Sequence, residues 1–179
     1  MKVVAFFRNL NLGRAHCPDK AGFEQAFIAA GALSASSFLT NGSMVFEADS
    51  QRQAQSILAR ACVNLHEACG MKEPAYIRSI EELAALVALD PFADAQRDNI
   101  HEFCVSFLPP HCALPEPMPT TSRRGDVHIV QRTAREVLSL SLKIGNTPGS
   151  PNAYLEKLLG VPVTTRSWNT VVRLLRKYA

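Results

Sequence analysis

Hydrophobic and polar residues recur with two different periods in the first part of the chain. Short apolar or alternating runs are typical of strands, whereas apolar residues spaced at 0, 3, 4 and 7 are typical of amphipathic helices. The predicted elements are a strand at residues 3–8, a helix that begins after Asp19 and ends at Gly31, strands at 33–40 and 43–48, a helix over about 51–69 and a strand at 74–80. This β-α-β-β-α-β order is the ferredoxin-like order.

The second part of the chain is less regular, and its elements form a partial copy of the first set. They are a short helix at 81–89, strands at 101–108, 127–130 and 136–143, a helix over about 152–159 and a last helix after Ser167. Residues 109–119 contain five prolines and are predicted to be an extended loop. We therefore expect an α+β protein with one subdomain at residues 1–80 and a second, abbreviated one at 81–179.

Composition supports a globular protein, since 47% of the 179 residues are hydrophobic and 20% are charged. No apolar run is long enough for a membrane span, and the amino terminus has no secretory pattern. We expect a cytoplasmic protein with no membrane partner.

The five cysteines form no Cys-x-x-Cys pair, which argues against a disulfide framework and a zinc ribbon. Cys62, His66 and Cys69 lie on one face of the predicted long helix. However, residues seven apart are about 10.5 Å apart along a helix, which is too far for both sulfurs to reach one tetrahedral ion easily. The sequence therefore predicts no metal site and no cofactor.

Three segments carry a resemblance to a known family: Arg8-Asn9-Leu10-Asn11-Leu12-Gly13, the hairpin Thr40-Asn41-Gly42-Ser43, and Val163-Thr-Thr-Arg-Ser-Trp-Asn-Thr170. The chain resembles the bacterial family called domain of unknown function 1697. The resemblance implies two ferredoxin-like subdomains in tandem and implies no known activity.

Two departures from the family pattern concern candidate sites. Asn9 stands where the family usually has glycine, and asparagine is the next most tolerant residue at positive φ. The loop Gly145–Pro151 lacks the lysine that family members carry before the penultimate helix. A loop with backbone amides and a lysine at a helix start is suited to binding an anion. Because this chain lacks the lysine, an anion site at this loop is a weaker prediction here than in the family.

Polar residues of the shared segments are the candidate ligand-binding residues. They are Arg8, Asn11, Gly13, Asn41, Trp168, Asn169 and Thr170. Loop residues after core strands often face a cleft, but the same side chains could cap helices and satisfy loop carbonyls. The sequence contains no catalytic constellation, because no nucleophile elbow, phosphate-binding Gly-Lys loop or His-Glu-x-x-His motif is present.

A resemblance to RNA-recognition modules is confined to one strand. Residues 6–10 resemble the first-strand motif of that fold, but the partner segment 41–46 lacks the two aromatic residues that would stack on bases. Base recognition through this sheet is therefore disfavoured.

Charge is unevenly distributed although the total is only +3. Residues 120–179 contain ten basic and three acidic residues, a net charge of +7. The candidate anion-binding face consists of Arg123, Arg124, Arg132, Arg135, Arg166, Arg173, Arg176 and Lys177. The alternative is that these arginines pair with the acidic first part of the chain.

We therefore expect a binding protein that contacts an anionic partner, with nucleic acid among the candidates. The alternative is a small-ligand binder or enzyme that uses a polar cleft near Arg8, Asn11 and Asn169. The predicted sheets also have unpaired edges, which could pair with those of a second copy, so a homodimer is a further alternative.

Overall fold

The computed structural model describes all 179 residues, which divide into two compact units, Met1–Leu83 (unit 1) and Ala84–Ala179 (unit 2). Each unit contains one antiparallel sheet with helices, so the chain is an α+β protein. No helix combines the length and the apolar character that a membrane crossing requires.

Unit 1 has the β-α-β-β-α-β order that the sequence predicts. Its elements are β1 (Lys2–Phe7), α1 (Lys20–Ala29), β2 (Ala35–Phe38), β3 (Ser43–Glu47), α2 (Gln51–Cys69) and β4 (Ala75–Ser79). The sheet order is β2-β3-β1-β4, and β1 pairs antiparallel with both of its neighbours. The first strand is therefore central.

Polar caps fix the ends of the helices in unit 1. The Asp19 carboxylate accepts a hydrogen bond from the amide of Gly22 at 2.7 Å, as expected for an N-cap. The Ser50 hydroxyl accepts one from the amide of Gln53 at 3.2 Å and begins α2 in the same way. Gly70 ends α2 in the left-handed conformation.

Four phenylalanines form the centre of the core of unit 1. The ring of Phe7 lies 5.3 Å from that of Phe23 and 6.1 Å from that of Phe27, both in edge-on geometry. Phe27 also lies 5.1 Å from Phe46 on β3. These contacts join α1 to the two central strands, β1 and β3.

The helix α3 (Ile80–Ala88) contains the boundary between the two units. Its start is a capping box, in which the Ser79 hydroxyl accepts from the amide of Glu82 at 3.0 Å and the Glu82 carboxylate accepts from the amide of Ser79 at 2.7 Å. Hydrogen bonds from its own backbone amide and from Ser79 lower the pKa of Glu81. These carboxylates stabilise a helix start.

Unit 2 contains more strands than the sequence predicts. Its remaining elements are β5 (Ile100–Phe107), β6 (Val127–Arg132), β7 (Glu136–Ile144), β8 (Thr147–Pro148), α4 (Pro151–Leu159), β9 (Thr164–Ser167) and α5 (Trp168–Tyr178). The sheet order is β6-β7-β5-β9, and the short β8 pairs with β7. In both sheets the strand earliest in sequence is central.

The hydrophobic pattern does not predict β9, whose residues are Thr164-Thr165-Arg166-Ser167. This strand has no apolar residue, so it shows no hydrophobic alternation, yet Thr164 and Arg166 are buried. The ladder to β5 forms the strand, because Thr164 lies opposite Phe107 and Ser167 opposite Cys104.

The proline-rich segment contains no helix or strand, as predicted. Its half-buried residues Cys112, Leu114 and Met118 pack against a core cluster of unit 2. That cluster consists of Leu108, Ile129, Val137, Leu155 and Val163. Loop side chains thus cover an apolar surface without forming a regular element.

Candidate functional site

The predicted polar residues of unit 1 lie on two loops that bind one another. The amide of Phe7 donates to the carbonyl of Gly42 at 2.8 Å, and the amide of Leu12 donates to the carbonyl of Thr40 at 3.0 Å. Gly42 has a φ of +73°, and a Cβ there would lie 2.8 Å from that of Leu10. The opening loop, with Arg8, and the hairpin are therefore one packed structure.

Arg8 is engaged within this structure. Its Nη1 lies 2.6 Å from Oε2 of Glu73, and Nδ2 of Asn9 lies 3.4 Å from the other oxygen of the same carboxylate. Asn9 has a φ of +50°, which accounts for glycine or asparagine at this position. Arg8 thus anchors the opening loop to the segment before β4.

The remaining candidates of unit 1 make turn contacts. Oδ1 of Asn41 accepts from the Ser43 hydroxyl at 3.0 Å. Asn11 is exposed, and its carbonyl accepts from the amide of Arg14 at 3.2 Å. Gly13 has a φ of +79° and donates its amide to the carbonyl of Pro18 at 2.9 Å. These contacts stabilise the loop itself.

Two cavities border this part of unit 1. One of about 370 Å³ is lined by Asn9, His16, Cys17, Lys72 and Glu73, among others. A neighbouring one of about 440 Å³ is lined by Cys62, His66, Lys72 and Glu73, among others. No group of three or more metal-ligating side chains occurs here or elsewhere in the chain.

Trp168, Asn169 and Thr170 belong to unit 2 and begin α5. The Trp168 ring lies 5.3 Å from that of Phe92 in edge-on geometry. Thr170 is buried, and its amide donates to the Ser167 hydroxyl at 3.2 Å. Only Asn169 is exposed; with Trp168 it lines a cavity of about 300 Å³ that also contains His101 and Glu102.

The first-strand motif shared with RNA-recognition modules is not accessible. Phe6 and Phe7 are fully buried, so neither ring can stack on a base.

The eight basic residues of the predicted face have different surroundings. Arg166 is only 7% exposed, and its Nη1 donates to the Thr164 hydroxyl at 2.8 Å and to the Thr165 carbonyl at 3.0 Å. Burial lowers the pKa of Arg166 to about 10. Its burial excludes Arg166 from an exposed face, because alternate positions of β9 point inward.

The other basic residues remain nearer the surface. Arg132 is paired with Glu116, with Nη2 2.7 Å from Oε2, and Arg135 is half-buried beside the turn at Thr133. Arg173, Arg176 and Lys177 are exposed on α5, where Nζ of Lys177 lies 5.0 Å from the ring centre of Tyr178.

Arg123 and Arg124 line a cavity of about 680 Å³, which we call the basic cavity. Its full lining is Ser122, Arg123, Arg124, Asp126, Pro148, Ser150, Ala153, Tyr154, Lys157 and Leu158. Arg123 and Lys157 form no ion pair, whereas Nη1 of Arg124 lies 3.5 Å from a carboxylate oxygen of Asp126. The cavity therefore contains three cationic side chains and one acidic side chain.

Lys157 and Tyr154 line the basic cavity but are not among the candidate residues predicted from the sequence. Ser150, Ala153, Tyr154, Lys157 and Leu158 have the spacing 0, 3, 4, 7 and 8, which is one face of a helix. That spacing is a signal in the sequence, but the arginines that complete the cavity come from a turn more than 25 residues earlier. Only the fold brings them together.

Ser122 stabilises the turn that carries the two arginines. Its hydroxyl donates to Oδ1 of Asp126 at 2.7 Å and accepts from the amides of Asp126 and Val127, both at 3.1 Å. The amide of Gly125 donates to the Ser122 carbonyl at 2.9 Å. The positions of Arg123 and Arg124 are therefore set by a hydrogen-bonded turn.

Gly149 joins that turn to the loop before α4. A Cβ at position 149 would lie 2.0 Å from the carbonyl oxygen of Asp126, so only glycine permits this approach. The Gly149 amide donates to the carbonyl of Leu142 at 3.0 Å, and its carbonyl accepts from the Ser141 hydroxyl at 2.6 Å. The two walls of the basic cavity are thus in direct backbone contact.

The thiol of Cys104 on β5 is isolated from these cavities. Burial, reinforced by the Glu102 carboxylate, raises the pKa of Cys104 from 9.0 to about 12. Because the pKa of this thiol is higher in the folded than in the unfolded protein, its contribution to the free energy of unfolding depends on pH. That contribution is fully present below the unfolded pKa near 9 and is lost as the pH rises through the folded pKa of about 12.

We expect iodoacetamide at pH 8 to leave Cys104 unmodified in the native protein and to alkylate it after unfolding in urea, because the thiolate is the reactive form. Peptide mass spectrometry measures the extent at each cysteine. The half-buried Cys17 is the internal control. Equal alkylation rates for Cys104 and Cys17 in the folded protein would contradict this expectation.

Comparison with known proteins identifies relatives but no activity. Residues 1–137 match the model of the family described as protein of unknown function (DUF1697). The solved structure of conserved bacterial protein SP0830 from Streptococcus pneumoniae is similar, with a TM-score of 0.66, 14% identity and coverage of 98% of this chain and 97% of that one. No curated protein matches the sequence. The chain belongs to the DUF1697 family.

Proposed function

We propose that this protein binds an anionic partner and that the contact is made in the basic cavity of unit 2. The observation that supports the proposal is the convergence of Arg123, Arg124 and Lys157 on one concavity of about 680 Å³. Cavities of about 300–1,000 Å³ are typical of small-molecule sites. The anion is therefore a small ligand or a short segment of a larger one.

The electrostatics of the cavity favour a negatively charged occupant. Three cationic side chains and one carboxylate line the cavity, and that carboxylate also accepts from the Ser122 hydroxyl. Arginine binds phosphate and carboxylate groups through two parallel hydrogen bonds, which adds geometric selectivity to charge. Since Arg123 and Lys157 have no ion pair within the chain, no internal carboxylate must be displaced from them.

The alternative polar cleft near Arg8, Asn11 and Asn169 has less support. The Arg8 guanidinium is occupied by Glu73 at 2.6 Å. Asn11 and Asn41 make turn contacts, and Asn169 belongs to the other unit. The basic cavity, by contrast, lies wholly within unit 2.

A second part of the proposal concerns the architecture of the two units. We infer two ferredoxin-like subdomains in tandem, at residues 1–80 and 81–179, the second lacking its first helix. The strand orders β2-β3-β1-β4 and β6-β7-β5-β9 support this inference, since both place the four strands in the sequence order second, third, first, fourth. In unit 1 a helix, α1, connects the first two strands, whereas in unit 2 a loop connects the corresponding strands, β5 and β6.

Two triple variants test where anions bind. Arg123→Ala/Arg124→Ala/Lys157→Ala removes the charges of the basic cavity, and Arg173→Ala/Arg176→Ala/Lys177→Ala removes three exposed charges from α5 as a matched control. The probes are inorganic pyrophosphate and a single-stranded DNA oligonucleotide, titrated at several salt concentrations by calorimetry. We expect the cavity variant to lose on the order of 100-fold in pyrophosphate affinity, from charge-assisted hydrogen bonds, and the control to keep it.

Two results would overturn the proposal. One is a wild-type protein that does not bind pyrophosphate even at low salt. The other is DNA or pyrophosphate binding that the α5 variant abolishes and the cavity variant retains, because the partner would then contact α5. Thermal midpoints of both variants show whether each remains folded.

A further inference from the structure

The basic cavity is larger than a simple inorganic anion requires. Its volume is about 680 Å³, whereas a water molecule takes up about 30 Å³ in the liquid. A ligand that fills the cavity therefore has a body in addition to its charged group.

The lining of the cavity is chemically two-sided. Arg123, Arg124 and Lys157 supply the charge, and Pro148, Tyr154 and Leu158 supply apolar surface. Tyr154 is half-buried and packs against the core cluster of unit 2. Partial burial also raises the pKa of its phenol.

The charge of the site indicates the charge of the ligand. Three cations and one carboxylate leave an excess of two positive charges. A phosphate monoester carries about −1.5 to −2 at pH 7 and offers three acceptor oxygens, whereas a carboxylate carries a single charge. The phosphate monoester matches this excess more closely.

Hydrogen bonds make the backbone of the cavity walls pre-formed. The Ser122 hydroxyl fixes the arginine turn, and Gly149 holds the loop before α4 against Asp126. A pre-formed backbone loses less conformational entropy on binding, although the exposed side chains of Arg123, Arg124 and Lys157 are not fixed by these bonds.

Resting on the proposed function, we propose that the ligand of the basic cavity is a phosphate monoester with an aromatic or apolar body. The phosphate binds Arg123, Arg124 and Lys157, and the body lies on Tyr154 and Leu158. Nucleoside monophosphates and aryl phosphates share this chemistry.

Four probes separate the parts of this inference: phenyl phosphate, inorganic phosphate, benzoate and glucose 6-phosphate. The affinities are measured by calorimetry or by amide chemical shifts in the 179-residue protein. We expect phenyl phosphate to bind at least tenfold more tightly than each of the other three. Leu158→Asn, close in size and polar, should reduce phenyl phosphate binding about tenfold and leave inorganic phosphate binding unchanged.

The outcomes distinguish this inference from the proposed function. Equal affinities for phenyl phosphate, inorganic phosphate and glucose 6-phosphate, all lost in the Arg123/Arg124/Lys157 variant, would overturn the apolar body and leave anion binding intact. Benzoate binding as tight as that of phenyl phosphate would overturn the phosphate assignment. No binding of any probe to the folded wild-type protein would overturn both proposals. The thermal midpoint of Leu158→Asn verifies its fold.

Discussion

Replacing Phe27 by alanine is expected to lower the free energy of unfolding by about 3–5 kcal/mol, the cost of a large cavity in a packed core. Phe27 is fully buried and lies 5.9 Å from the ring of Phe23 and 5.1 Å from that of Phe46. Its loss removes contacts between α1 and β3 and leaves the neighbouring rings partly unpacked. Urea denaturation followed by circular dichroism measures the change.

Leu33→Ala is the matched control for this substitution. Leu33 is 66% exposed, so its truncation should change the free energy of unfolding by less than about 0.5 kcal/mol. If Phe27→Ala were as mild as Leu33→Ala, the four-phenylalanine cluster would not be the centre of the core.

Gly149→Ala is expected to have the second largest effect, a loss of about 3 kcal/mol or more. The new Cβ would lie 2.0 Å from the carbonyl oxygen of Asp126 and 2.6 Å from its carbonyl carbon, so one of the two backbones must move. Movement separates the walls of the basic cavity without removing any charge. We therefore expect weaker pyrophosphate binding together with the lower stability.

Gly145→Ala, in the turn before β8, distinguishes the effect of steric overlap from that of backbone conformation. Gly145 has a φ of +62° and open space around its Cβ position, so alanine there costs only about 1–2 kcal/mol of left-handed strain. Pyrophosphate affinity should stay at the wild-type value in Gly145→Ala. A Gly149→Ala protein that is as stable as Gly145→Ala and binds pyrophosphate normally would contradict the wall contact.

Local signals predicted most of the secondary structure. Asp19, Ser167 and the glycines at 70 and 160 define helix ends through interactions with residues three or four positions away. The hairpin at Asn41-Gly42 is likewise a local structure. Such features depend on neighbours along the chain, so the sequence shows them directly.

Non-local pairing explains the features that the sequence did not show. Strand β9 has a polar sequence, and its ladder to β5 joins residues about 60 positions apart. For the same reason Arg166 was predicted on an exposed face and lies in the interior. Hydrophobic alternation predicts a strand only where its inward residues are apolar.

The charge balance of the structural units differs from that of the sequence segments. The sequence divides into a less basic first part and a basic part at residues 120–179. Unit 2 begins at Ala84 and contains eleven basic and eight acidic residues, whereas unit 1 contains eight of each. Five acidic residues before position 120 therefore belong to the same unit as the basic segment.

By itself, the sequence determined the family, the β-α-β-β-α-β order of the first unit and the excess of arginine near the carboxyl terminus. Only the tertiary structure decided which of those arginines meet. Arg123, Arg124 and Lys157 line one cavity, whose two walls come together where Gly149 approaches Asp126, and Arg166 is turned inward by its strand. Periodicity is a property of neighbouring residues, whereas a cavity forms between segments that are distant along the chain.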